Sequence, residues 1–294
     1  MNLELARQNI SSRNTEQSLA ALRALGEAGA LSDLPAVMNA VKQGAPEKQK
    51  AALDACLNII RENLIAHFNE LDPQMRQKLG RLMESLHPRV VLEISRDIYS
   101  DDDQRRLRAV QVLGLLRKNP KVRDILADLV KDRDQKIRAT AINLLGKVVG
   151  PHDQDIILSL LSDSDKRVRA NTVEALESLG NKRLVPVLLR FRKDPNNRIR
   201  GNVLKALYTL GYQDVGADLL EMLTSSEPFM MASALWVISQ TRISSPALED
   251  QVGHALIHDN AMVIDNARKA LKALDSPRAH GYLRYLGDVA PCAA

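Results

Sequence analysis

Between residues 132 and 212 the chain writes one pattern three times: "DRDQKIRATAINLLGKVVG", "DSDKRVRANTVEALESLGN" and "DPNNRIRGNVLKALYTLGY". Taking the Arg of each "IR" or "VR" as an anchor, Arg138, Arg169 and Arg200 recur at one constant interval. Leu145, Leu176 and Leu207 follow at plus seven. Small or apolar residues sit at plus three and plus four, as Ala141 and Ile142, Thr172 and Val173, Val203 and Leu204. Offsets of 0, 3, 4 and 7 share one face of an α-helix. Gly180 and Gly211, at plus eleven, are helix stop signals. Asp132, Asp163 and Asp194, six before each anchor, suit the turn that starts the helix and are expected to cap it.

The repeat decays outward. Arg108, Met231 and Ile264 anchor neighbouring copies, Thr15 and Gln49 anchor earlier ones, and "DPQMRQKLGRLMESL" on Arg76 fills the gap between Gln49 and Arg108. A second apolar helix lies between anchored ones, as in "HDQDIILSLLSD" and "VGADLLEMLTS". No segment alternates with period two. The expected fold is therefore all-α, an α-α superhelix of about eight or nine helical hairpins. A single array spans 1–294: divergent repeats over 1–100, regular ones over 101–275, and a C-terminal cap and tail over 276–294. Helices over 2–10 and 277–289 are expected to close the ends. Aromatic residues make up only 3%, so Leu, Ala, Val and Ile must build the core, as thin stacked helices allow.

The unit "D…VR…A/T-V-x-A-L-x-x-L-G" resembles the HEAT repeat, and more narrowly the short HEAT-like class of phycobilin lyase subunits. The likeness is most specific from Asp101 to Leu274. It implies that Asp132, Asp163 and Asp194 pair with arginines of their own or a neighbouring unit, and that they and Arg138, Arg169 and Arg200 form a structural ladder between repeats. It also implies that the anchored helices line a concave face. Function is then expected at the positions the consensus leaves free. Two before the anchor stand Arg106, Lys136, Arg167 and Arg198, followed by Phe229 and Met262. Two after it stand Asn171, Asn202, Ser233 and Asn266; five after it stand Glu174, Lys205, Trp236 and Lys269. These rows predict a basic stripe beside short polar side chains, turning apolar near Phe229 and the single Trp, Trp236. A protein partner with an acidic segment and an apolar anchor matches that surface.

Residues 104–205 carry 23 Lys and Arg against 11 Asp and Glu. That excess makes nucleic acid the rival partner, although base-stacking aromatics are nearly absent there. Catalytic signatures are missing. No "HE" pair of the deoxyhypusine hydroxylases occurs, and Trp236 leads into "VISQ" without the acid that alkylpurine DNA glycosylases place in their groove. There is no Gly-rich phosphate loop or nucleophile elbow, and a phycobilin-lyase-like subunit, for which the sequence holds no separate catalytic motif, is the weaker alternative that the resemblance implies. His254 and His258 share a helix face but lack a third ligand. Neither cofactor nor metal is expected, nor a membrane partner, since no apolar run is long enough to span a bilayer. Cys56 lies in an apolar helical pattern and Cys292 near the end, with no disulfide framework. The N-terminus lacks the apolar core of a signal peptide, so a cytoplasmic scaffold or adaptor is the expectation.

Overall fold

A computed structural model describes residues 2–86, 90–116, 119–148 and 150–285. His87, Cys292 and the last part of the expected C-terminal cap lie outside the described residues. Among the described residues are 18 α-helices and five short 3-10 turns, with no strand. None of these helices is long and apolar enough to cross a membrane. The chain divides into two compact units, Met1–Leu144 and Leu145–Ala294. Each is a stack of helices of the solenoid type that the periodicity predicts.

In the second unit the anchored helices are Lys166–Ser178, Asn197–Thr209, Pro228–Thr241 and Ala261–Leu274. Each packs on the next. Helices Gly216–Leu223, Pro246–His254 and Pro277–Tyr285 form a second layer. The plus-seven leucines Leu176 and Leu207 are fully buried, as are Val173, Val203 and Leu204. Small side chains fill the seams: Ala170, Ala206, Ala234, Ala267 and Ala270 have no exposed surface. A Cβ on Gly201 would meet Ser233 Cβ at 3.4 Å. Helices this close leave little room for rings between them, which is why a chain poor in aromatics suffices. Gly180 and Gly211 do stop their helices: they have φ +63° and φ +98°, the left-handed region that favours glycine.

The helix starts differ from expectation by two residues. Asp165 and Asn196 are the N-caps, accepting from the N–H groups of Val168 and Ile199 at 3.2 Å. Asp134 likewise accepts from Lys136 N–H at 2.6 Å. Asp132, Asp163 and Asp194 instead shape the preceding turn, each accepting from the N–H two residues on at 2.8 Å. An N-cap must stand directly before the first helical residue to reach the N2 and N3 donors, and six before the anchor is too early.

The anchor arginines hold their own turns and a neighbouring helix. Arg138 Nη1 donates to the main-chain carbonyls of Asp132 and Arg133, at 2.9 and 3.1 Å. Arg169 Nη1 does the same to Asp163 and Ser164, at 2.7 and 3.2 Å. Arg200 reaches Glu221 at 2.9 Å. Carboxylate pairs recur at one constant sequence separation. They join Arg7 with Asp33 at 2.7 Å, Arg106 with Asp132 at 2.6 Å, and Arg192 with Asp218 at 3.0 Å.

In the first unit the 22-residue helix Pro46–His67 is central. It packs against Thr15–Ala28, Leu34–Gln43, Pro73–Leu86 and directly against Asp103–Leu113. The Arg76 helix, Pro73–Leu86, is therefore not the missing member of the anchored row. Val90–Ile98 packs on Asp103–Leu113 as Leu34–Gln43 packs on Pro46–His67, so Pro73–Leu86 is the one additional helix between two anchored helices that touch. An ion network fastens that junction. Arg105 Nη2 meets Glu62 at 2.7 Å and its Nε donates to Asp97 at 2.7 Å. Arg61 meets Glu62 at 2.8 Å and Asp97 at 3.6 Å. Burial opposes ionisation of Glu62, but hydrogen bonds from Arg105 and Arg61 outweigh it and hold the carboxyl below its usual range.

The ion pairs differ in what their loss should cost. Arg106 and Asp132 are almost enclosed, with side chains 9% and 12% exposed. Arg106→Ala, which strands the carboxylate, is expected to destabilise by about 3–5 kcal/mol. Arg167→Ala, removing a surface partner of Asp165, costs under about 1 kcal/mol. Urea unfolding of the two variants side by side checks the difference; equal midpoints contradict it. Because the folded Glu62 has a lowered pKa, its contribution is complete above the unfolded value of about 4.3 and fades as pH falls through the folded value. Glu62→Gln is expected to flatten the acid limb of stability against pH, read as melting temperature from pH 7 down to 3.

A candidate partner-binding groove in the second unit

Residues at one offset of the repeat become neighbours when anchored helices stack. In the second unit this brings Glu174, Arg198 and Asn202 to Phe229, Trp236, Met262 and Asn266, around an open groove of about 450 Å³. Four successive helices contribute, Lys166–Ser178 through Ala261–Leu274. The volume lies within the range of ligand-binding clefts.

The apolar wall comes from Pro228–Thr241. One face of this helix is core, with Ala234, Leu235, Val237 and Ile238 buried. The sequence nevertheless continues apolar around the other side with Phe229, Met230, Met231 and Trp236. Phe229, in the first turn, is 64% exposed. This helix is thus apolar on more faces than its own fold buries. Gly201 also lines the groove.

The polar wall is a set of ties between helices. Asn202 is 3% exposed and donates to Ala170 O at 3.1 Å and Glu174 Oε1 at 2.7 Å. Arg198 Nη2 donates to Asn171 Oδ1 at 2.8 Å and Glu174 Oε1 at 3.2 Å. Lys205 Nζ meets both oxygens of Glu177 at 2.7 Å and stands 5.9 Å from the Trp236 ring centroid. Asn197 Nδ2 donates to Phe229 O at 3.2 Å and Ser233 Oγ at 2.8 Å. Acids within the stack thus balance its bases.

Of the ten residues expected to bind a partner, Glu174, Arg198, Asn202, Phe229 and Trp236 line the groove. Asn171 and Lys205 touch it through Arg198 and Trp236. Arg167 turns to its own N-cap, meeting Asp165 at 3.0 Å, and lowers that carboxyl's pKa through the hydrogen bond. Arg106 and Lys136 belong to the first unit. Lys136 is exposed. Arg106 is not a free base: it is 8% exposed, donates to Ile98 O at 3.0 Å and pairs with Asp132. The rows of side chains are also less free than the register alone implies, since Asn171 and Asn202 are buried. Asn197 escapes sequence reasoning because it occupies the first helical position, where the register marks only a helix start.

No group of three or more His, Cys, Asp or Glu among the described residues stands close enough to hold a metal ion. His258 Nδ1 accepts from Asn260 N–H at 2.9 Å and serves the turn before Ala261–Leu274. Cys56 is a buried free thiol whose pKa burial pushes up to about 11, the inert kind.

No curated protein sequence matches the chain. Among solved structures, similarity extends to the complex of CpcE and CpcF of phycocyanin lyase from Nostoc sp., at 17% identity over 98% of this chain and 95% of that one, TM-score 0.45. It extends also to Kap121p, at 13% identity over 98% of this chain and 38% of that one, TM-score 0.50. The karyopherin Kap121p bound to the SUMO protease Ulp1p gives 13% identity over 98% and 39%, TM-score 0.51. At such identities the likeness concerns the fold. The sequence model for HEAT repeats matches residues 88–157 and 154–239, together more than half of the chain. With the stacked helices and their recurrent turns, that match establishes that the chain belongs to the HEAT-repeat family.

Proposed function

We propose that the chain is a non-catalytic scaffold or adaptor that binds another protein, and that the partner docks in the groove at Phe229 and Trp236. The observation that carries this reading is the apolar surface of Pro228–Thr241 left over after packing, with Phe229 64% exposed beside a half-buried Trp236. Trp and Arg are the side chains most enriched where binding energy concentrates, and Arg198 stands on the same groove. The groove's polar groups are joined in helix-to-helix hydrogen bonds, with no nucleophile and base paired among them. Kap121p, of similar fold, is recorded with a bound protein, Ulp1p, in keeping with this use of stacked helices. A buried free Cys56 suits the reducing, cytoplasmic setting that belongs to the same proposal.

Nucleic acid is the weaker reading. Phosphate contact needs several bases free to replace counterions, whereas Lys205 is held by Glu177 and Arg167 by its own N-cap Asp165. A photo-cross-linking amino acid placed at position 229, and at exposed Arg183 as a control, tests both readings in the native cell. We expect discrete protein adducts from position 229 that Arg183 does not give. Nucleic-acid adducts, or the same adducts from both positions, contradict the proposal.

A further inference from the structure

The groove offers two kinds of open polar group beside its apolar wall, and together they define a ligand. We propose that it takes an extended peptide segment bearing one large apolar side chain with an Asp or Glu close beside it. This rests on the protein-binding reading above and names the chemistry of the partner.

The apolar side chain has its seat on Phe229, Trp236 and Met262. The carboxylate has its partner in Arg198. Only Nη2 of that guanidinium is engaged, by Asn171 and Glu174, while Nε and Nη1 meet no acceptor among the described residues. The side chain is half exposed. A fork held at one end by two hydrogen bonds has already lost rotamer freedom, so binding a carboxylate with its remaining donors costs little further entropy. Lys269, exposed and at the register position of Trp236 on the next helix, adds a positive charge with no ion pair among the described residues.

The main chain is recognised by the opposite kind of group. Asn197 Nδ2 donates to Phe229 O, and Asn266 Nδ2 donates to Met262 O at 2.8 Å. Main-chain carbonyls fix both amides in one orientation. Their Oδ1 atoms meet no donor among the described residues. Both side chains line the groove. Open amide oxygens call for N–H donors, which an extended segment presents and a helix has already spent internally. Phosphodiesters carry acceptors only at their backbone and leave these oxygens unpaired.

Selection of random dodecapeptides displayed on phage against the full chain tests this, followed by titration of labelled winners. Enrichment of a large apolar residue with Asp or Glu within two positions is expected. Phe229→Ser, which alters a side chain that its own fold leaves exposed, should weaken binding by about tenfold or more. Arg198→Gln should weaken the acidic peptides and spare their Asn or Gln counterparts. N-methylation of a main-chain amide beside the anchor should weaken binding about fivefold or more. A basic consensus, indifference to every N-methylation, displacement by a single-stranded oligonucleotide, or no enrichment overturns the inference. Winners that bind Phe229→Ser as well as the parent overturn the groove itself, and with it the docking site proposed above. Failure to enrich any peptide leaves that docking site standing if position 229 still cross-links to a folded protein.

Discussion

Leu176 and Leu207 are buried in a core that their own helices cannot close: each anchored helix packs on the next anchored helix and on the second-layer helix before it. A single helical hairpin is too small to enclose its apolar face alone, so each anchored helix buries that face on its neighbours, and stability passes from repeat to repeat. Alanine and glycine in the seams follow from this demand, because they let the helix axes approach while leucines and valines fill the remaining space. The turn chemistry follows as well. A helix that must start at the same level in every repeat needs the same punctuation, supplied by Asp163 with Asp165 and by Asp194 with Asn196.

Polar side chains on the stacked face are recruited to the same task. Asn202 ties its helix to the carbonyl of Ala170 on the preceding one, and Lys205 reaches back to Glu177. Such ties fix helix against helix and consume charge that would otherwise face solvent. At Pro228–Thr241 the repeat loses its basic residue to Phe229 and gains Trp236. There the departure from the consensus turns the groove wall apolar. In the first unit the departure takes another form, one additional helix, Pro73–Leu86, beside a junction fastened by Arg61, Glu62, Asp97 and Arg105.

Helical class, period and the anchored row from Arg138 to Ile264 are legible in the sequence, because offsets of 3, 4 and 7 report directly on a buried helix face. The stop glycines are legible for the same reason, since their backbone demand is local. The caps fall two residues later than the repeat pattern suggests, as the motif holds two acceptors and only one borders the helix. By register Arg106 matches Arg167 and Arg198 and reads as a free base. Its neighbour decides its fate: Asp132 stands as far along the chain from Arg106 as Asp33 does from Arg7 and Asp218 from Arg192. That spacing is visible in the sequence, but charge alone does not say which of several bases takes the acid. Length places the Arg76 helix in the anchored row, whereas contact between Pro46–His67 and Asp103–Leu113 depends on side chains far apart in sequence.

Trp236 is the only tryptophan in the chain, half-buried in the groove, and its emission reports on that surface alone. Titrating a bound partner, or a selected peptide, into the full chain while recording this emission tests the assignment most directly. A saturable shift to shorter wavelength is predicted as the ring is removed from water, lost with Phe229→Ser. A partner that binds with the Trp236 spectrum unchanged would contradict the assignment.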